Sequence, residues 1–194
     1  MRTIVVALLP MAATAPAQAP RVSALADFGR CISRQASGAA QALLATEAGA
    51  WEEYRQARGL IEASPNCGRP DPGVRVGDVR GIVAEAMLEA DADARARLAA
   101  RPPAPVTRVS AQLDGRAFVT AYAGCLADAE PAKGVALLAT PHRSQAELDA
   151  FTAFGQTLGD CLPEGANYRI DRFDVRNHIA AHLYRVAAAA EVRQ

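Results

Sequence analysis

The sequence predicts an all-α protein made of two tandem copies of a disulfide-linked four-helix module. Three observations carry this. The four cysteines fall into two pairs, Cys31 with Cys67 and Cys125 with Cys161, each 36 positions apart. A shift of 94 superposes both pairs and lays Ala42-Leu43-Leu44-Ala45-Thr46 on Ala136-Leu137-Leu138-Ala139-Thr140, the signature of an internal duplication. Apolar residues then recur at helical spacing in both halves.

The first helix of each copy carries Leu25, Phe28, Cys31 and Ile32, or Val119, Tyr122, Cys125 and Leu126. That spacing puts the cysteine on a buried stripe, where it can bond to another element. The Ala-Leu-Leu-Ala-Thr block forms a second short helix, starting at Ser37 or Pro131; proline suits a first helical position because the N–H it lacks has no partner there. In the second copy the third helix opens on Ser144 and Glu147, a capping box. It continues through Leu148, Phe151, Phe154 and Leu158 to Cys161. In the first copy its stripe is Tyr54, Ala57 and Leu60, with Trp51 one turn ahead, and Gly68 with Pro70 or Pro163 with Gly165 ends it.

A two-residue insertion aligns Asp78-Val79-Arg80 with Asp174-Val175-Arg176. Each aspartate suits the N-cap of a fourth helix, which runs on Val79, Val83 and Met87, or on Val175, Ile179, Leu183 and Val186. Just before it, Val74-Arg75-Val76 and Tyr168-Arg169-Ile170 suit short extended pieces. Arg101-Pro102-Pro103-Ala104-Pro105 joins the copies, and three prolines in five residues cannot continue a helix. The organisation is therefore a targeting segment over 1–19, a module over 20–100, a linker over 101–106 and a second module over 107–194.

The targeting segment has Arg2, a short apolar core from Ile4 to Leu9, and Ala15-Pro16-Ala17-Gln18-Ala19. It reads as a signal peptide cut after Ala17 or Ala19, which places the mature chain in the periplasm or outside the cell. The apolar run is far short of the roughly 20 residues that span a bilayer, so no membrane insertion is expected once the signal is removed. In an oxidising compartment disulfides persist, and equal spacing in each copy favours Cys31–Cys67 and Cys125–Cys161 over the other two pairings. A zinc site would bring cysteines in close pairs, and no two are close here.

Twenty-one basic and 21 acidic residues leave no net field for nucleic acid, and 5% aromatics are too few for a stacking surface. No G-x-S-x-G elbow or phosphate-binding glycine loop is present, so no catalytic residue is assigned and no cofactor is expected. Two weaker constellations remain. Asp174, His178 and His182 lie at i, i+4 and i+8 on one helix face, a spacing that can hold a metal. The first copy has Ile82 and Ala86 in place of the two histidines, which argues against a shared site. Arg75, Arg80, Arg169, Arg172 and Arg176 gather near the starts of the fourth helices, a candidate interaction surface for an acidic partner.

The Phe-Gly-Arg-Cys run over 28–31, the Ala-Leu-Leu-Ala-Thr block and the second cysteine 36 positions on resemble small exported proteins of alphaproteobacteria. The resemblance implies export and a duplicated helical unit, and it supplies no catalytic residue. The functional expectation is a non-enzymatic envelope protein that binds another macromolecule, as an inhibitor or a holding factor. An envelope hydrolase with its site between the modules, or a metal-binding protein using the last helix, is the alternative. A deep junction lined by Asp174, the two histidines and arginines would favour the hydrolase, and a flat one the binder.

Overall fold

A computed structural model describes residues 20–68, 74–113, 115–165 and 169–191. The expected signal peptide, Pro70 and Tyr168 lie outside the described residues. The helical spacing is realised in the first module as α1 (Pro20–Gln35), α2 (Ser37–Ala45), α3 (Trp51–Glu62), α4 (Val79–Ala90) and α5 (Ala92–Ala99). The second module carries α6 (Gly115–Ala129), α7 (Pro131–Leu138), α8 (Gln145–Thr152), α9 (Thr157–Asp160) and α10 (Arg172–Glu191). Among the described residues there is no strand, and Val74-Arg75 leads directly into a 3₁₀ turn at Val76–Asp78.

Both predicted disulfides are present, Cys31–Cys67 and Cys125–Cys161, with Cα–Cα distances of 5.4 and 5.9 Å. Each ties the first helix of its module to the end of the third segment. Closing a loop of about 37 residues restricts the unfolded chain by about 4 kcal/mol in the chain-entropy treatment.

Three helices end sooner than periodicity alone predicts. The fourth helix of the first module stops at Asp91, whose carboxylate accepts the Ala94 N–H at 2.8 Å and starts α5 afresh. The third helix of the second module ends at Thr152, and a turn over 153–156, with Gly155 at φ +57°, carries Phe154 and separates α8 from α9. In the first module α3 ends at Glu62, and Cys67 sits on a separate 3₁₀ turn at Pro65–Cys67. Asp78 stands at the N-cap of α4 as expected, but its carboxylate bonds no amide of that helix and turns back to accept the Arg75 N–H at 2.8 Å. In the second module Asp174 instead sits inside the first turn of α10. The residue that caps that helix is Asp171, which accepts the Phe173 N–H at 2.8 Å.

Two cores follow from the stripes. In the first, Leu25, Phe28, Ile32, Leu43, Leu60, Ile82 and Val83 pack together with Ala180 of α10. In the second, Phe118, Leu126, Leu137, Phe151, Phe154, Ile179 and Leu183 pack with Leu88, Ala94 and Leu98 of the first module. Each core thus borrows side chains from the other module. The helices α4 and α10 cross at Gly81 and Asn177, matched positions in the two copies. A Cβ on Gly81 would lie 2.3 Å from the Asn177 Cβ, so the crossing needs glycine there. The linker and the segment after it lie against the second module: Ala104 donates to the Asp128 carbonyl and Val109 to the Cys161 carbonyl, at 2.8 and 3.0 Å. No described helix is long and apolar enough to cross a membrane.

Candidate functional site

The Ala-Leu-Leu-Ala-Thr block, the buried glutamate and the Asp-Val-Arg motif are parts of one clamp, built in both modules. In the first, the carboxylate of Glu53 accepts the Gly49 N–H at 2.7 Å. Arg80 donates to the carbonyls of Leu44 and Thr46 and to the Thr46 hydroxyl, each at 2.9 Å. In the second, Glu147 accepts the Arg143 N–H at 2.9 Å, and Arg176 donates to the Thr140 carbonyl, the Thr140 hydroxyl and the Leu138 carbonyl. The threonine hydroxyl turns back onto its own helix in both, at 2.6 and 2.7 Å. The guanidinium thereby covers the carbonyls that the end of a helix leaves without partners. Gly49 and Arg143 occupy the same position, and both have positive φ.

The clamps differ in what sits on them. On the first, Arg116 of α6 donates to Glu53 at 2.7 Å and to the Gly77 carbonyl at 2.9 Å. Arg80 is displaced to 3.9 Å from the same carboxylate oxygen. On the second, Arg176 bonds Glu147 directly at 2.9 Å and reaches across the junction to Glu85 of α4 at 2.6 Å. His142 joins the network with Nε2 3.3 Å from Glu85. Burial pushes the Glu85 carboxyl up, but the bonds to His142 and Arg176 outweigh it and hold the group below its ordinary range. Burial likewise opposes the charge on Arg176, and the two carboxylates restore it.

Above this second clamp the two modules form a cleft of about 340 Å³, lined by Arg75 and Asp78 from the first module and by Arg143, Glu147 and Asp171–Asp174 from the second. Arg75 donates to both Asp78 and Asp174, stitching the modules across the cleft. The Arg143 guanidinium stands 5.5 Å over the Phe173 ring, a cation–π contact. Burial raises the Asp174 carboxyl above its ordinary value despite Arg75 beside it.

Of the predicted surface arginines, Arg75 and Arg172 line the cleft and Arg169 is exposed outside it. Arg80 and Arg176 do not belong to any surface: Arg176 is completely buried and Arg80 nearly so, both spent on helix carbonyls. The metal constellation is also taken apart by the fold. His178 Nδ1 pairs with the Thr120 hydroxyl at 3.1 Å, His182 Nε2 with Asp128 at 3.0 Å, and Asp174 with Arg75. Among the described residues no three His, Cys, Asp or Glu side chains come together as a metal site. Burial, with Arg116 and Arg80 nearby, pushes the His178 imidazole down to about 4. The predicted stripe residue Tyr54 is exposed and stacks on Trp51, and its counterpart Leu148 is equally exposed.

Sequence reasoning missed Arg143, Glu147, Asp171 and Phe173 as parts of one site, because only the fold brings the starts of α8 and α10 together. One signal was present: Glu53 and Glu147 match under the same shift as the cysteines, which is unusual for a solvated charge. Compared with protein families, curated proteins and solved structures, the chain matches none.

Proposed function

We propose that the protein is exported, arose by duplication of one disulfide-fastened helical unit, and binds another macromolecule of the cell envelope at the junction of its modules without catalysing a reaction on it. The single observation that carries this reading is the lining of the junction cleft: charged side chains from both modules, with neither His178 nor His182 among them. The two imidazoles of α10 are held away from it by Thr120 and Asp128, so the cleft lacks the acid–base pair that the hydrolase expectation required of them. The paired cysteines and the apolar N-terminal segment support export.

Affinity capture of the tagged mature protein from its own envelope extract tests the reading. A partner recovered in near-stoichiometric amount, and lost when Arg75 is replaced by Glu, is the expected result. Repeated recovery of the protein alone overturns it. N-terminal sequencing of the exported form should begin at Gln18 or Pro20.

One observation favours the hydrolase as a second reading: Asp174, whose carboxyl burial raises above its ordinary value, lines the same cleft as Asp78 and Asp171, and a raised carboxyl suits a general acid. That reading requires product release from envelope material by the purified protein, abolished by Asp174→Asn.

A further inference from the structure

The reading of the junction as a binding surface can be carried to the chemistry it recognises, because the charges in the cleft do not cancel in pairs. Arg75 is shared between Asp78 and Asp174, and Glu147 is committed to Arg176 and the Arg143 amide. Three groups are left without an ion-pair partner among the described residues: the guanidinia of Arg143 and Arg172, and the carboxylate of Asp171, which holds only the Phe173 N–H. They line the same cleft as the Phe173 ring, its one apolar wall, over which the Arg143 guanidinium stands.

The first module shows how the equivalent place is filled when a charged side chain is at hand. There Arg116 lies on the Glu53 carboxylate and the Gly77 carbonyl. The position 94 residues before Arg116 is Val22, so the second module's clamp has no cation from the matching position of the chain. Phe173 stands where the first module has Gly77. A Cβ at Gly77 would come within 2.2 Å of Arg116 Nη1, so Phe173 closes the deep pose that Arg116 uses. An incoming group must therefore sit higher, beside the Arg143 guanidinium that stands over the ring and within reach of Arg172 and Asp171.

We propose that this cleft binds a short polypeptide segment of the partner that carries an acidic and a basic side chain next to each other. Arg143 and Arg172 take the carboxylate, a pairing for which the planar guanidinium is suited. Asp171 takes the cation, and the apolar stems cover Phe173. The volume is at the lower end of small-ligand sites, about 300–1,000 Å³, which suits about two residues. Asp171 and Asp174 disfavour a bare polyanion such as nucleic acid in the same place.

Isothermal titration calorimetry on the mature protein tests this with the dipeptide Lys-Glu blocked at both ends, with blocked Lys-Gln and Gln-Glu as probes lacking one charge. Free Gly-Gly, charged only at its termini, tells a chain segment from a small zwitterion. Blocked Lys-Glu should bind, and each single-charge probe should bind about tenfold more weakly, as loss of one charge-assisted pair implies. Arg172→Gln should weaken Lys-Glu toward the level of Lys-Gln, with Arg143 keeping part of the pairing, and Asp171→Asn, which keeps the helix cap, should weaken it to that of Gln-Glu. No heat with any probe, or equal binding by wild type and both variants, overturns the proposal. So does a preference for Gly-Gly, which assigns the cleft to a small molecule. Capture of an envelope partner equally by wild type and by Arg172→Gln would leave the broader binding reading standing while this one fails.

Discussion

Arg176 has all three guanidinium nitrogens occupied by Glu85, Glu147 and the end of α7, at zero exposure. A buried charge is tolerable only with its partners in place, and removing one side of such a group costs about 3–5 kcal/mol. Arg176→Met should therefore lower stability by that amount in urea unfolding. Arg80→Met should cost less, because Glu53 keeps Arg116 as a partner. His178 makes the second prediction at this scale. Its imidazole titrates at about 4 in the fold against 6.5 in the unfolded chain, so between those values the unfolded chain binds more protons. The contribution to stability is complete above pH 6.5 and is lost as the pH falls toward 4, about 3 kcal/mol in all. The difference in urea midpoint between wild type and His178→Gln should change over that window and be flat above it.

At the scale of elements, two helix-interior glycines that look alike in sequence separate in the fold. Gly59 in α3 has open space where a Cβ would go, while at Gly81 in α4 the Cβ would meet the Asn177 backbone at 2.5 Å. Gly59→Ala should stabilise by about 0.5–1 kcal/mol through helix propensity. Gly81→Ala should destabilise by about 3 kcal/mol, the upper end for overpacking, since the obstacle is backbone. Thermal melts of both variants check the pair. The same contrast explains what could be read from sequence. The stripes through Phe28 and Ile32, and through Tyr122 and Leu126, were legible because burial and helical period coincide there. The breaks at Asp91 and Gly155 were not, because each residue is also tolerated inside a helix and the choice depends on what packs alongside. Arg80 and Arg176 were misread as surface for a related reason: charge alone marks an arginine as solvated, and only the chain's path brings helix carbonyls and a glutamate around it. The cleft was visible only in fragments, as Arg75, Arg172 and Asp174, since Arg143 joins Phe173 only through a contact between the turn before α8 and the start of α10.

For the whole molecule, the question is whether two modules with their own disulfides melt separately. Their cores argue against it. Leu88, Ala94 and Leu98 are buried in the second module's core, Ala180 in the first's, and Arg176 spans the junction to Glu85. Unfolding either module alone would strip apolar cover from the other, and it would part Glu85 from Arg176 across the junction, a cost that couples the halves. Calorimetry should therefore show one transition with calorimetric and van't Hoff enthalpies equal. Replacing Cys31 and Cys67 together by serine should lower the stability of the entire molecule by about 4 kcal/mol, and replacing Cys125 and Cys161 should do the same. In each case the single transition should move as a unit. A second transition appearing in either variant, with the untouched module melting at its former temperature, would show instead that each disulfide serves only its own half.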